Sequence, residues 1–518
     1  MLKSENNIQI IMKTMIISFL VVTMLFIWQG SKGFNLWDEG FLWYGAQRVM
    51  LGEVPIRDFM AYEPGRYYWS ATLMHLLGDN GIISLRIAVA IFQFLGLFVG
   101  VLLIAQSVKK QSKDKFIFLT LSAITLAIWM YPRHKLFDIS LSLFLIGTLT
   151  YLIRNPVPKR YFITGVGVGL VACFGRNHGV YGAVASLGVI LWLNIKGNSV
   201  LSFIKKLFLW GSGVMIGFAP IFFMFITVPG FAAAFWDSIR FLFEQKATNL
   251  PLPIPWPWSI SFSTMPFDSA IRGIFIGIFF IGLFAFGIIS VLWVIQMKLK
   301  EKPIPPVFVA SAFLALPYAH YAFSRADVGH LAQGIFPLLV GCLVFCSTRA
   351  YKYKWLFAIA LFSMSFECMY VVHPGWQYRS GNQSVAVDVS GNKLLVDPDT
   401  ASNIALLRQL RDQYAANGQN FVVTPFWPGA YPLLNQRSPM WEIYALFPRT
   451  KRFEKQEISR IKTANPRFVF VMDFALDGNN KLRFKNTHPL THQYILANFA
   501  LLPSISNSIF QIYKTKNA

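Results

Sequence analysis

Residues 33–47 read GFNLWDEGFLWYGAQ, and they follow directly on the apolar run IIMKTMIISFLVVTMLFIWQG at residues 10–30. The run is long enough to cross a membrane as a helix, because a span needs about 20 apolar residues. It lacks a small-residue cleavage site, so it predicts a retained first span and not a removable signal peptide. The adjacent acids Asp38 and Glu39 therefore fall immediately outside a predicted membrane span.

The composition of the whole chain also indicates a membrane protein. Its 518 residues are 55% hydrophobic and 14% charged, with a mean hydropathy of +0.48, whereas soluble domains have about 25% charged residues. The chain is therefore predicted to be a polytopic α-helical membrane protein. The net charge of +23 would suit a nucleic-acid partner. However, many of the basic residues cluster in short loops between apolar runs, as membrane topology requires. We expect membrane lipids as partners and no nucleic acid.

Apolar runs predict eleven transmembrane helices, near residues 10–30, 83–107, 116–132, 137–153, 161–174, 179–195, 207–228, 271–297, 305–322, 331–347 and 355–373. Alternate loops are strongly basic, namely KKQSKDK, RNPVPKR, KGNSVLSFIKK, KLKEK and TRAYKYK. The positive-inside rule places these loops in the cytoplasm. The predicted topology has a cytoplasmic N-terminus and an outer C-terminus. The glycines in YFITGVGVGLVACF indicate close helix packing, because no strand precedes them.

The composition changes after residue 373. ASNIALLRQLRDQYAAN and HPLTHQYILANFALL have a helical period, and NFVVTPF, RFVFVMDF and SIFQIYKT are typical of strands. This alternation predicts a soluble α/β domain over residues 374–518 on the periplasmic side. The remainder, residues 1–373, is the predicted transmembrane domain, and its first outer loop covers residues 31–80 with juxtamembrane helices.

The predicted outer loops carry most of the chemistry-bearing side chains. The first loop holds Asp38, Glu39, Asp58 and Glu63 among aromatic residues. Later outer turns supply six basic candidates for binding a phosphate: Arg133, His134, Arg176, His178, Arg325 and His330. The guanidinium fork of arginine matches phosphate oxygens. Adjacent carboxylates could accept a proton from a hydroxyl nucleophile or hold a divalent cation, Mg or Mn, and Asp38 and Glu39 are the candidate ligands.

Each of these residues could instead have a purely structural role. An Arg or His near a helix end can extend to lipid headgroups, and Asp38 could cap the helix that starts near Glu39. Asp58 and Glu63 could pair with Arg57 and Arg66. However, the first loop and the three turns that carry the basic candidates all lie on one predicted face of the membrane. Independent structural roles would place such residues on both faces, so this shared location favours a functional site.

The segment NLWDEGFLWYGAQRVMLGEVPIRDFMAYEPGRYYW resembles the first outer loop of the C-superfamily (GT-C) glycosyltransferases. This group of integral membrane enzymes includes the family 39-like protein O-mannosyltransferases and the lipid A aminoarabinose transferases. RADVGHLAQGIFP and GRNHGVYGA also resemble segments of bacterial members. The resemblance covers about 370 residues and is strongest over residues 33–70. It implies a GT-C-like fold, a polyprenyl-phosphate sugar donor, and transfer of a hexose or pentose at the periplasmic face with inversion.

Carried over to this chain, the resemblance makes Asp38 the catalytic base or metal-supporting carboxylate, with Glu39 beside it and Asp58 or Glu63 as a second carboxylate. The sugar and lipid contacts expected in the same loop are Trp37, Tyr44, Arg66 and Tyr67. The acceptor is open between a protein, lipid A, an envelope polysaccharide and another lipid-linked glycan. Three other functions are weighed against this one: an O-antigen-ligase-like or polymerase-like enzyme, a lipid or glycan transporter, and a non-catalytic assembly factor. A transporter predicts ionisable groups at mid-membrane and internal repeats. Glu367 is the only obvious deep carboxylate in the sequence and no repeat is visible, so this function is disfavoured.

Overall fold

The structure is a computed structural model that describes residues 2–108, 114–196, 200–245, 249–378, 383–503 and 509–516. It divides into two compact units, which are described separately. The helical unit comprises Met1–Gln29, Val89–Thr227 and Asn249–Gln377. The mixed unit comprises Gly30–Ala88, Val228–Thr248 and Tyr378–Ala518.

Helices make up most of the chain. In chain order the first eleven are α1 (Leu2–Gln29), α2 (Asp38–Met50), α3 (Pro64–Leu76), α4 (Ile82–Ala105), α5 (Lys115–Ile128), α6 (Leu136–Arg154), α7 (Pro158–Phe174), α8 (Arg176–Leu193), α9 (Val200–Gly217), α10 (Ala219–Thr227) and α11 (Phe231–Gln245). The next six are α12 (Phe267–Leu299), α13 (Pro306–Ser324), α14 (Val328–Gly334), α15 (Phe336–Ser347), α16 (Tyr351–Met369) and α17 (Pro374–Gln377). The last five are α18 (Pro398–Tyr414), α19 (Ala430–Leu433), α20 (Lys451–Ala464), α21 (Phe484–Thr487) and α22 (Pro489–Asn498). The strands are β1 (Val385–Val389), β2 (Asn392–Val396), β3 (Phe421–Thr424), β4 (Phe468–Met472), β5 (Phe499–Leu501) and β6 (Phe510–Thr515).

Each of the eleven predicted spans coincides with one helix or with two successive helices. Within the described residues, seven helices are long and apolar enough to cross a membrane, and the bent pair α14–α15 would make an eighth. The predicted count of eleven remains a prediction, because α5, α7 and α8 are not among the seven. Most of the basic loop at 109–115 and part of the one at 196–206 lie outside the described residues, and the orientation likewise stays a prediction.

Glycines allow two helices of the helical unit to approach closely. A methyl group on Gly165 of α7 would lie 2.0 Å from the carbonyl oxygen of Trp210, and one on Gly217 of α9 would lie 2.1 Å from that of Val166. Gly169 and Gly213 make equally close backbone contacts across the same pair of helices. The expectation that these glycines serve helix packing, as small residues do in membranes, is confirmed.

The mixed unit contains a four-stranded sheet in the order β3-β4-β6-β5 and a separate β1-β2 hairpin. β3 and β4 are parallel, whereas β6 runs antiparallel to both β4 and β5. Apolar side chains from this sheet and from α20 and α22 form a buried core that includes Val422, Val469, Ile461 and Ile495. The predicted strands at β3, β4 and β6 and the predicted helix at α18 are confirmed. The helix predicted over HPLTHQYILANFALL is confirmed only for α22, because the following residues Phe499–Leu501 form β5 and pair with β6. The hairpin was not predicted.

The segment after α1 belongs to the same mixed unit. The amide of Gly33 donates to the carbonyl of Leu395 (2.7 Å), and the amide of Leu395 donates to the carbonyl of Ser31 (2.9 Å), so the segment pairs with β2. α2 lies against residues 427–433 at Gly40, where an added methyl group would be 2.5 Å from the Cα of Gly429. These contacts fix the start of α2 to the C-terminal part of the chain.

α11 is an amphipathic helix inside what the sequence predicted as one long outer loop. Its apolar residues recur with a helical period, and Trp236 and Phe243 are exposed. In the mixed unit its end meets the C-terminal segment, since the side chain of Gln245 donates to the carbonyl of Pro448 (2.9 Å).

Candidate active site

The chain turns into α2 immediately before the acidic pair. The side-chain oxygen of Asn35 accepts hydrogen bonds from the amides of Trp37 (2.8 Å) and Asp38 (2.9 Å). The helix begins at Asp38 itself, and the residue before it is Trp37, which makes no side-chain cap. The alternative in which Asp38 caps the helix is therefore wrong. A carboxylate in the first turn is still favoured by the positive end of the helix dipole.

Asp38 is half-buried, and its carboxylate accepts a hydrogen bond from the hydroxyl of Tyr444 at 3.3 Å. Tyr444 is 9% exposed and comes from the C-terminal part of the chain. The acid is thus accessible in part and held by a donor 406 residues away in sequence.

Glu39 is in a different environment from its neighbour. It is 5% exposed, and its two carboxylate oxygens accept hydrogen bonds from Arg86 at 2.7 and 2.8 Å. The same guanidinium donates to the carbonyls of Gly30 and Gly33, each at 2.7 Å. Glu39 and Arg86 therefore form a buried ion pair that fixes the backbone leading into α2. Arg86 was not among the predicted residues.

The other two candidate carboxylates of the first loop, Asp58 and Glu63, lie in different surroundings. Asp58 pairs with Arg57 at 2.8 Å and accepts a hydrogen bond from the amide of Val54, also at 2.8 Å. Burial by itself would raise the pKa of Asp58, but these donors outweigh it and lower the pKa below the ordinary value. The expected pairing of Asp58 with Arg57 is confirmed. Glu63 is 8% exposed and directly precedes Pro64, the first residue of α3.

The four expected sugar and lipid contacts differ in exposure. Tyr44 and Tyr67 are 1% and 0% exposed, and their hydroxyls accept hydrogen bonds from the amides of Ser438 and Tyr62, each at 3.1 Å. Arg66 is 2% exposed, and its guanidinium lies 4.7 Å from the centre of the Tyr62 ring. Trp37 alone among the four keeps a partly exposed ring beside Asp38.

A stretch of the C-terminal part, residues 438–449, contacts the first loop repeatedly within the mixed unit. The carbonyl of Trp441 accepts from the amide of Met60 (2.8 Å), and its indole donates to the carbonyl of Ile56 (3.0 Å). Ser438 and Tyr444 add the contacts to Tyr44 and Asp38 described above. None of these contacts was predicted, because nothing in the local pattern of either segment indicates its distant partner.

In the helical unit, His178 lies in a buried polar group. Its Nδ1 is 2.8 Å from the hydroxyl of Tyr318, and its Nε2 is 2.9 Å from the carboxylate of Asp138. The ring of Tyr321 lies 5.5 Å from that of His178 on one side and 5.9 Å from that of His330 on the other. Two of the predicted phosphate-binding histidines are thus brought together around one tyrosine.

Asp327 connects Arg325 to His330. The carboxylate of Asp327 accepts a hydrogen bond from Arg325 (2.9 Å) and contacts Nδ1 of His330 (2.9 Å), while the other ring nitrogen of His330 lies 2.7 Å from the side-chain nitrogen of Asn249. Arg325 also donates to the carbonyl of Leu250 (3.1 Å). We call His178, Tyr321, Arg325, Asp327 and His330 the basic cluster.

The remaining basic candidates lie on neighbouring turns of the helical unit. Arg133 and His134 are in a short 3-10 turn before α6, and Arg133 donates to the carbonyl of Gln29. Pro132 of that turn would be 4.0 Å from a methyl group on Gly329 in α14, so the turn adjoins the basic cluster. Arg176 is the first residue of α8, two positions before His178.

The residues present do not fit a metal site at the acidic pair. Glu39 gives both of its oxygens to Arg86, and across the described ranges no group of three or more His, Cys, Asp or Glu side chains is arranged to hold a metal ion. A hard divalent cation takes about six oxygen ligands.

Solved structures with a similar fold are membrane glycosyltransferases. ArnT from Cupriavidus metallidurans bound to undecaprenyl phosphate matches with a TM-score of 0.55 and 10% identity, over 96% of this chain and 97% of ArnT. Apo ArnT matches with a TM-score of 0.50 and 11% identity over the same shares. The Archaeoglobus fulgidus oligosaccharyltransferase with a tethered acceptor peptide matches over 98% of this chain and 74% of its own, at 11% identity; its TM-score of 0.48 supports no conclusion.

No protein-family model matches the sequence, and no curated protein matches it. The structural likeness to ArnT, a lipid A aminoarabinose transferase, extends over nearly the whole of both chains. The fold that the resemblance implied is therefore confirmed, and this chain has an ArnT-like fold.

Proposed function

We propose that the protein transfers a sugar from a polyprenyl-phosphate-linked donor to an acceptor hydroxyl, with inversion at the anomeric carbon. The observation that carries the proposal is Asp38, a half-buried carboxylate held by the Tyr444 hydroxyl at the start of α2. The ArnT fold supports a glycosyltransferase, and the ArnT structure with undecaprenyl phosphate supports a lipid-phosphate donor.

Asp38 is the proposed base, and Glu39 is not. The acceptor O–H would give its proton to the Asp38 carboxylate as its oxygen attacks the anomeric carbon. The bond from that carbon to the phosphate oxygen breaks, and the electron pair leaves with the polyprenyl phosphate. Glu39 is less suited to this work, because its oxygens are already occupied by Arg86 in a buried pair.

The basic cluster of the helical unit is the proposed site for the donor phosphate. Arg325 carries a permanent charge and a donor geometry that suits phosphate oxygens. His330 lies beside it, with its two ring nitrogens in contact with Asp327 and Asn249. Arg133, His134 and Arg176 on adjoining turns would extend the positive region. Preorganised donors of this kind stabilise charge that develops on the leaving group.

The proposed location is the periplasmic face of a bacterial inner membrane, with a cytoplasmic N-terminus. A polyprenyl tail stays in the lipid while its phosphate and sugar emerge at the surface. The basic loops support this orientation through the positive-inside rule. The proposed sugar is a hexose or a pentose.

The test uses purified full-length protein in lipid with a panel of polyprenyl-phosphate sugars. We expect turnover of one donor, and a loss on the order of 10²–10⁴-fold in rate for Asp38→Asn, the range typical of general acid–base groups. Asp412→Asn is the matched control, because Asp412 is an exposed acid on α18 whose side chain is 65% exposed.

Two results would overturn the proposal. If no donor turns over, or if Asp38→Asn matches the wild type with a donor that does, Asp38 is not the base. A ligase or polymerase of lipid-linked glycans would then be tested by supplying a second lipid-linked chain. A transporter would be tested by following lipid movement in Glu367→Gln.

A further inference from the structure

The carboxyl ends of β3 and β4 bring two aromatic rings to one edge of the sheet. These strands are parallel and adjacent, with Thr424 paired to Val471 in register. The chain leaves β3 at Phe426 and β4 at Phe474, and the two rings lie 5.2 Å apart. In open sheets of α/β proteins, ligands bind outside the carboxyl ends of parallel strands.

Trp37 completes an aromatic surface at this edge. Its ring stacks on Phe426 at 4.4 Å with an angle of 21° between the planes, and it meets Phe474 edge-on at 5.9 Å. Phe426 is 1% exposed and forms the base. Trp37 and Phe474 are both partly exposed. We call Trp37, Phe426 and Phe474 the aromatic platform.

Polar groups stand directly beside the platform. Asp38 follows Trp37 in the chain, and the ring of Tyr444, which donates to Asp38, lies 6.3 Å from Phe426. The ring of Tyr444 also packs against Phe41 at 5.8 Å. The proposed base is therefore next to partly exposed aromatic rings, and all of these residues belong to the mixed unit.

We infer that the aromatic platform is the acceptor subsite and that the acceptor is a neutral carbohydrate. One face of a pyranose ring presents C–H groups, which pack against the electron-rich face of an aromatic ring. Its hydroxyls both donate and accept hydrogen bonds, as a neighbouring hydroxyl and carboxylate require. A largely apolar site with a few placed polar groups is typical of small-molecule recognition. The inference rests on the proposed function, since it assigns the group that Asp38 would deprotonate.

The charges at the edge favour a neutral sugar over an anionic acceptor. Asp38 would repel an anion at the point of attack. Asp473, next to Phe474, pairs with Arg483 at 3.5 Å, and the half-exposed Lys485 lies 3.9 Å from the same carboxylate. Asp38 is therefore the charge that disfavours an anionic acceptor at the point of attack.

The experiment distinguishes the effect of the aromatic ring of Phe474 from the effect of apolar side-chain volume at the same position. Phe474→Leu keeps an apolar side chain without a ring, whereas Phe474→Tyr keeps the ring. With the full-length protein in lipid and the donor found active, methyl α-mannoside, maltose and chitobiose are tested as acceptors or as competitors. We expect Phe474→Leu to raise the acceptor KM about tenfold, equivalent to about 1.4 kcal/mol, with kcat nearly unchanged. Phe474→Tyr should stay close to the wild type, as should the control Tyr414→Leu on α18.

A second readout distinguishes failure of this inference from failure of the proposed function. Saturation-transfer NMR measures binding of the same three sugars to the full-length protein without any donor. Binding that is weakened in Phe474→Leu and kept in Phe474→Tyr supports the subsite even if no donor turns over. The inference is overturned if none of the sugars binds, accepts or competes, or if the two Phe474 variants behave alike. Turnover with a Ser- or Thr-containing peptide but with none of the sugars would assign a protein acceptor instead.

Discussion

Arg86 holds Glu39 with two hydrogen bonds, at 2.7 and 2.8 Å, and donates two more to the carbonyls of Gly30 and Gly33. One buried guanidinium thus joins residues 30–33 to the start of α2. The adjacent acids consequently differ in their surroundings. Glu39 is held in the buried pair, and the half-buried Asp38 accepts a hydrogen bond from Tyr444.

Breaking this pair should affect stability. Glu39→Ala leaves the Arg86 charge buried and uncompensated, and such a change costs roughly 3–5 kcal/mol of unfolding free energy. Thermal unfolding of the full-length protein in detergent measures the effect. The control Arg411→Ala breaks an exposed pair with Asp412 and should change stability by about 1 kcal/mol or less. An inactive Glu39→Ala protein with unchanged stability would contradict the structural role.

Tyr444→Phe should lower activity while the protein stays folded. The substitution removes only the hydroxyl that donates to Asp38, a hydrogen bond to a charged group worth about 1.5–3 kcal/mol. We expect kcat to fall by roughly 10- to 100-fold with little change in the donor KM. Steady-state kinetics of Tyr444→Phe and of Tyr513→Phe, a control on β6, measure this. Equal kcat values for Tyr444→Phe and the wild type would remove Tyr444 from the site.

Gly40→Ala should displace the start of α2. The added methyl group would lie 2.5 Å from both the Cα and the nitrogen of Gly429, which are backbone atoms that cannot rotate away. Overpacking of this kind typically costs about 1–3 kcal/mol, and Asp38 would shift with the helix. Gly211→Ala is the matched control, because nothing lies within 4 Å of its added methyl group. Unfolding temperature and transfer rate should both fall for Gly40→Ala only.

Acid should weaken the mixed unit through Glu442. Burial would raise the pKa of Glu442, but Arg449 at 2.5 Å and His488 at 2.8 Å outweigh it and lower the pKa below 4.5. A carboxylate with a lowered folded pKa contributes stability that is fully present above its unfolded pKa and lost as pH falls through the folded value. Glu442→Gln should therefore be less stable than the wild type at neutral pH, and the difference should shrink below pH 4.5. Unfolding curves across pH test this, and a constant difference would contradict it.

Arg325→Gln should weaken use of the donor. Loss of a charge-assisted contact to phosphate corresponds to roughly 10- to 100-fold in kcat/KM for the donor. Acceptor KM should not change. Arg411→Gln, with a side chain that is 36% exposed, is the control for loss of one positive charge. An Arg325→Gln enzyme with wild-type donor kinetics would remove the basic cluster from phosphate binding.

The sequence predicted the helices well because apolar runs of sufficient length have few alternatives. The same local signal predicted β3, β4 and α18, and the glycines of α7 indicated its packing. α11 was missed although its helical period is visible in FAAAFWDSIRFLFEQ. The hairpin β1–β2 was missed because its strands are only five residues long each and three of the five residues of β1 are exposed.

The predicted site residues were chosen by residue type and loop, which cannot separate a buried acid from an accessible one. Asp38 and Glu39 are identical by that criterion and differ only through Arg86 and Tyr444. Arg86 lies inside a predicted span, where an arginine is easily overlooked as a snorkelling residue. Tyr444, Phe426 and Phe474 carry no local signal of their relation to α2, because that relation exists only after the chain has folded.

The mixed unit is built from three stretches of chain that are synthesised at different times. Asp38 is made within the first tenth of synthesis, but Phe426, Gly429 and Tyr444, which surround it, follow nearly four hundred residues later. All of the described helices that could span a membrane come earlier in the chain than those residues. A chain that ends at residue 373 would carry Asp38 and these helices without the residues that hold Asp38 in place. The hydrogen bond to Asp38 and the close contact at Gly40 therefore form only after residues 429–444 have been synthesised.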